Sequence, residues 1–149
     1  MTGRLTGLGA AVALVMLWSA APVKARDLPD LVIAKAELRA SGDCSGRTPL
    51  ITGKVHVRNA GIGRGQIFTT KEMIASQVEG RADIRGGDRF VNSMKPGETV
   101  VVEVRIGGAQ VHGVAGRQTV LLTVDPNDVF EEENERNNAL RVTVAVNCR

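Results

Sequence analysis

The stretch Thr119–Val146, TVLLTVDPNDVFEEENERNNALRVTVAV, decides the fold. Its two ends alternate with a period of two: Val120, Leu122 and Val124 fall on one face of the first run, and Leu140, Val142, Val144 and Val146 on one face of the second. That pattern belongs to half-buried strands of an antiparallel sheet, one side on a core and the other in water. Between them, Val124–Asn138 packs six carboxylates into fifteen residues. A metal-binding loop, a catalytic acid cluster and an elaborate turn are the three readings of this middle segment.

Working outward, the same alternation recurs. In ETVVVEVRI, Val100, Val102, Val104 and Ile106 share a face opposite Thr99, Glu103 and Arg105; in ITGKVHVRN, Ile51, Val55 and Val57 point inward and Lys54, His56 and Arg58 outward. DLVIAKAEL near the start does not alternate cleanly, which predicts a bulge or an edge strand that changes partner. Turn signals punctuate these runs: NAGIGRG, RGGDR, MKPGE, IGGAQVHGVAG and the acidic stretch. The span from Ile67 to Gly80 fits either a short helix capped by Thr70 or a strand, and its neighbours favour the strand. Six to eight short strands with turns at this spacing predict an all-β protein, an immunoglobulin-like antiparallel β-sandwich of about seven strands.

The N-terminus changes the charge argument. MTGRLTGLGAAVALVMLWSAAPVKA has an early Arg4, an apolar stretch from Leu5 to Trp18, and small residues ending at Val23 and Ala25, the layout of a cleaved secretory signal peptide over residues 1–25. The apolar run is shorter than the ~20 residues a membrane span needs, so the expectation is an exported chain, periplasmic or secreted, with no membrane span after cleavage. Residues 26–149 then form a single domain. Removing Arg4 and Lys24 leaves seventeen basic residues against sixteen acidic ones, a net charge of +1. The basic character of the whole chain is therefore no sign of nucleic-acid binding, which normally shows as a clustered basic face. Cys44 and Cys148 lack CxxC spacing, and an even pair in an oxidising compartment reads as a disulfide.

Four segments in order resemble the CARDB family, a bacterial cell-adhesion-related module: PDLVI, VRNAG, MKPGET and VDPNDVFEEENERNNALRVTV, together covering about residues 29–146. The last is the most specific, with Asp125, Glu132, Asn134, Glu135, Asn137 and Asn138 matching the acidic, asparagine-rich finish. The resemblance implies an immunoglobulin-like sandwich serving as a binding, adhesion or spacer module on exported proteins; the expectation for this chain is a noncatalytic binding or adhesion module of the cell envelope, with a protein or envelope component as partner. Cys44 and Cys148 lie outside that pattern. In such a sandwich the loop around Cys44 and the end of the last strand share one end, which makes the disulfide geometrically reasonable. The other end gathers NAGIGRG, MKPGE and the acidic loop, the kind of loop cluster that sandwiches use for recognition.

Candidate sites can be weighed on residues alone. An EF-hand needs an oxygen donor at its fifth position and glycine at its sixth, but counting from Asp125 these are Val129 and Phe130. A less regular calcium site from Asp125, Asn127 and Asp128 is the alternative to a self-bonded turn in which Asn and Asp side chains hold their own backbone and Val129 and Phe130 plug the surface beneath. No other cofactor is implied. Catalysis has no motif behind it: His56 and His112 belong to neither GxSxG nor HExxH, leaving a secreted hydrolase as a remote alternative. Beyond residue 25 the only aromatic side chains are Phe68, Phe90 and Phe130, so stacking recognition of sugars or bases is not expected. Lys54, His56 and Arg58 could face an anionic partner, or pair across the sheet with Glu103.

Overall fold

The computed structural model describes residues 27–63, 65–67, 73–88, 92–107 and 114–148. The expected leader with Trp18, as well as Phe68, Phe90 and His112, lies outside the described residues.

Alternation becomes strand wherever one face can be buried. Among the described residues nine strands form in order: β1 (Leu31–Ala40), β2 (Ile51–Asn59), β3 (Gly65–Ile67), β4 (Ile74–Val78), β5 (Arg81–Asp88), β6 (Asn92–Met94), β7 (Thr99–Ile106), β8 (Gly116–Val124) and β9 (Ala139–Val146). Seven of them make two antiparallel sheets, β1-β2-β7 and β5-β4-β8-β9, while β3 and β6 pair as a short ribbon. No helix occurs among the described residues. The strand reading of the ambiguous span holds for Ile74–Val78.

The inward residues are those the two-residue period selects. Ile51, Val55 and Val57 of β2, Val102, Val104 and Ile106 of β7, Val120, Leu122 and Val124 of β8, and Val144 and Val146 of β9 are buried in one core. Each buried Val, Leu or Ile contributes on the order of 2 kcal/mol by leaving water, so the shared core holds the two sheets face to face. The expected irregularity in β1 is a bulge: Ile33 stands opposite Val57 and Lys35 opposite His56, which leaves Ala34 unpaired. The extra residue restores the phase, so Leu31 and Ile33 reach the core before the bulge while Lys35, Glu37 and Arg39 remain exposed after it.

Both flanks of the sandwich are drawn together. On one, β5 leans onto the end of β7, where Arg85 and Gly107 exchange backbone hydrogen bonds of 3.0 and 3.2 Å. The approach is close enough that a Cβ at Gly86 would lie 2.0 Å from the Arg105 carbonyl oxygen. On the other flank, β1 packs beside β9. At one end, Cys44, in the β1–β2 connection, is bonded to Cys148 just after β9, with Cα atoms 5.5 Å apart. The disulfide thus joins the two sheets. All the strand connections quoted above as NAGIGRG, MKPGE and the acidic loop leave from the opposite end.

Candidate functional site: the acidic end of the sandwich

At that opposite end the chain is organised around the buried polar side chains of Asn59, Asp125 and Glu132, with Asn138 buried beside Glu132. Asn59 occupies the next inward position of β2 after Val55 and Val57, so the pleat forces its amide into the core. Burying it is tolerable only if its hydrogen-bonding capacity is used, and it is. Its Oδ1 accepts the backbone N–H groups of Asp30 and Gly61, each at 3.1 Å, while Nδ2 donates to the carbonyls of Gly63 at 2.9 Å and Met94 at 3.2 Å. One amide therefore ties together the N-terminal segment, the β2–β3 turn and the ribbon. The glycines of this turn are required by proximity: a Cβ on Gly61 would sit 2.5 Å from the Leu28 carbonyl oxygen, and one on Gly63 2.1 Å from that of Asp27.

Asp125 begins the acidic loop with a left-handed backbone, φ +43°, and is 2% exposed. Its Oδ1 accepts the N–H of Val129 at 3.1 Å and its Oδ2 that of Phe130 at 2.9 Å, while its own N–H donates to the Met73 carbonyl at 2.9 Å. This is the self-bonded turn. Phe130 is half-buried against the core, and Val129 is also half-buried.

Further along, Glu132 turns inward and is 6% exposed. One carboxylate oxygen accepts the N–H of Leu31 at the start of β1; the other accepts Nδ2 of Asn138 at 3.0 Å. Burial pushes its pKa up from 4.5 to about 7, with the Glu135 and Asp125 carboxylates adding to the rise and the donors from Leu31 and Asn138 opposing it. The remaining family-pattern residues support this arrangement. Glu135 accepts the N–H of Glu132 at 2.8 Å, Asn134 accepts that of Arg136 at 3.1 Å, and Asn137 donates to the Asp30 carboxylate at 2.9 Å. The Glu133 N–H donates to the Pro29 carbonyl at 2.8 Å, so the loop is also sewn to the N-terminal segment by its backbone.

One expectation needs correction. Asn137 and Asn138 hold side chains, Asp30 and Glu132, where the turn reading had them holding backbone. Glu132, in addition, is a buried tie between the loop and β1. Asn59 and Asn138 could have been found from pattern: each is a polar residue on the inward phase of an otherwise apolar strand face, 55-57-59 in one case and 138-140-142 in the other. Glu132 offers no such signal, because a loop has no period.

Of the proposed calcium ligands, Asp125 has both oxygens engaged by backbone amides, whereas Asn127 and Asp128 are exposed. No group of three or more His, Cys, Asp or Glu among the described residues is placed to hold a metal ion. The donor set therefore does not fit a ready-made cation cage.

The basic strip is likewise less uniform than its sequence suggests. Lys54 stands between Glu37 on β1 and Glu103 on β7 in direct register. His56 lies 3.9 Å from Glu37, with its Nε2 buried and without a hydrogen bond, while Arg58 is exposed. Glu37 is also ion-paired to Lys35, whose proximity holds its carboxyl below the usual range.

Two facing antiparallel sheets, linked by a disulfide at one end and carrying a hydrogen-bonded loop cluster at the other, define an immunoglobulin-like β-sandwich domain. The CARDB family model matches residues 28–142, and the chain belongs to that family. No curated protein matches the sequence significantly. Among solved structures, the chain is similar to a domain of a protein assigned to the cell surface in Methanosarcina acetivorans, with 23% identity, 80% of this chain and 92% of that one covered, and a TM-score of 0.52. It is also similar to a CARDB domain from Pyrococcus furiosus crystallised in complex with di-metal ions, with 20% identity, 83% of this chain and 97% of that one covered, and a TM-score of 0.50. These likenesses establish the fold.

Proposed function

We propose that this protein is an exported, noncatalytic binding module of the cell envelope, made from a leader at residues 1–25 and one sandwich at 26–149, that recognises a protein or envelope component through the acidic loop end. The observation that carries the reading is the triple anchorage of that end by Asn59, Asp125 and Glu132. A loop held by buried polar ties presents its exposed side chains, among them Asp128 and Glu133, on a fixed frame, which lowers the ordering cost of binding. The cell-surface assignment of the Methanosarcina relative and the disulfide both fit an exported location. A noncatalytic role fits the enclosure of the one carboxyl among the described residues with a strongly raised pKa: Glu132 is 6% exposed and both its oxygens are engaged inside the fold.

A cation-stabilised module is the second reading, and the di-metal complex of the Pyrococcus domain favours it. Against it stands the engagement of both Asp125 oxygens by backbone amides. Pull-down from an envelope extract, with calcium and with chelator, tests both. Capture that is lost in the D128N/E133Q variant and indifferent to calcium supports recognition by the loop end; capture unchanged in that variant sinks it. Export is tested on the same material, since a chain cut after Ala25 loses Trp18, its single Trp, and has no Tyr. Trp emission from the purified exported protein would overturn the leader assignment.

A further inference from the structure

The outer face of the β1-β2-β7 sheet carries charge in rows set by strand register. Arg39 on β1, Thr52 on β2 and Arg105 on β7 stand directly opposite one another, and the neighbouring row is Glu37, Lys54 and Glu103. All six side chains line one open groove. Adjacent strands are about 4.8 Å apart, so the two arginine backbones lie roughly 10 Å apart with the threonine midway. That separation is within reach of two guanidinium groups converging above the Thr52 hydroxyl.

The row is unused by the fold. Among the described residues, neither guanidinium has an ion-pair or hydrogen-bond partner, and the Thr52 hydroxyl has none. Of the nearest carboxylates, Glu37 is drawn to Lys35 and His56, on the side away from Arg39, and Glu103 stands opposite Lys54 in register and makes no ion pair with Arg105. Two exposed cations roughly 10 Å apart repel each other only weakly in water, but an anion placed between them is attracted by both.

We infer that Arg39, Thr52 and Arg105 form a binding site for a dianionic phosphate group, of the phosphomonoester kind. Three features select this chemistry. Two positive charges match a phosphomonoester, which carries about −1.5 to −2 at neutral pH. Guanidinium forks bind phosphate oxygens in pairs. Donors arriving from two sides and from below suit a tetrahedral group with three terminal oxygens better than a planar carboxylate with two. This surface lies toward the disulfide end of the sheet, away from the acidic loops, so it stands or falls separately from the function proposed above.

The test is an amide chemical-shift titration of the intact exported protein with methyl phosphate, methyl sulfate and acetate at constant ionic strength and pH 7.5. Saturable shifts at Arg39, Thr52 and Arg105 are expected with methyl phosphate, at least fivefold weaker binding with methyl sulfate, and no saturation with acetate. R39Q/R105Q should abolish the methyl phosphate response, and R105K, which keeps the charge but not the fork, should weaken it severalfold. Equal responses to all three anions would reduce the site to a diffuse electrostatic patch and overturn the assignment. So would full binding by R105K, or shifts centred on Lys54, His56 and Arg58. Thermal melts of the variants report whether the fold is intact; both arginines are exposed, and unchanged midpoints are expected.

Discussion

At the scale of single residues, the acidic end depends on whether each buried polar atom has found a partner. Glu132 is the sharpest case because its folded-state pKa of about 7 exceeds its ordinary value of 4.5. The fold prefers the neutral acid, so the stabilising contribution is fully present below pH 4.5 and is lost as pH rises through about 7. The full loss is on the order of 3 kcal/mol. E132Q mimics the neutral form, since its oxygen can accept the Leu31 N–H and its NH2 can face Asn138, whose Oδ1 is otherwise without a partner. Urea unfolding at pH 5 and pH 8 should show the wild type weakening with pH and E132Q nearly flat; a variant that is much less stable than wild type at pH 8 would contradict the preference for the neutral acid. Asn59 offers a second case. N59A leaves two N–H groups and two carbonyls behind, at about 1–3 kcal/mol for each buried group left unsatisfied and with partial relief by water, so a total loss of about 3 kcal/mol is expected from the same measurement. A loss below 1 kcal/mol would mean that the amide is not the hub its four bonds describe.

At the scale of elements, the strands were largely legible and the loops were not. Period-two alternation picked out the inward residues of β2, β7, β8 and β9, and broken alternation marked the β1 bulge, because burial on a pleated strand leaves a trace at every second position. The acidic loop has no such period. Its turn-forming role was readable from Asp125, but the inward turn of Glu132 arises from a contact a hundred residues away in sequence, with Leu31, that no local pattern encodes. The loop reading yields a ranking. Phe130 is half-buried, so F130A should cost about 2 kcal/mol, less than a fully buried ring, whereas E133Q on an exposed side chain should stay within about 0.5 kcal/mol. Calcium supplies the contrast. A cation bound by the loop would raise stability by about 2.7 kcal/mol at a hundredfold excess over its dissociation constant. The committed geometry of Asp125 predicts equal thermal midpoints in millimolar calcium and in chelator, and a calcium-dependent rise abolished by D128N would restore the metal reading.

At the scale of the whole molecule, the two ends of the sandwich are closed by different chemistry, and this sets how the fold should come apart. The acidic end is held by hydrogen bonds that exist only in the folded state. The other is held by the Cys44–Cys148 bond, which persists in the unfolded chain and closes a loop with a sequence separation of 104. In the chain-entropy model such a cross-link acts chiefly by restricting the unfolded ensemble, with an upper value of ~4.7 kcal/mol for a loop of this length. Free-thiol labelling of the unfolded, unreduced protein should therefore find none, and C44A/C148A should remain folded but be less stable. Native-state hydrogen exchange then separates two ways in which the bond could act. If it works through the unfolded state, amides that exchange only by global unfolding, such as those of Val55 in β2 and Leu122 in β8, should all lose protection by one common factor, up to about three thousandfold. If instead it merely pins its own end, only the β1–β2 connection and the end of β9 should lose protection. The buried and continuous core linking both sheets favours the common factor. Loss confined to residues near Cys44 and Cys148, with Val55 and Leu122 unchanged, would show that the bond is a local clamp and that the core alone sets the stability of the sandwich.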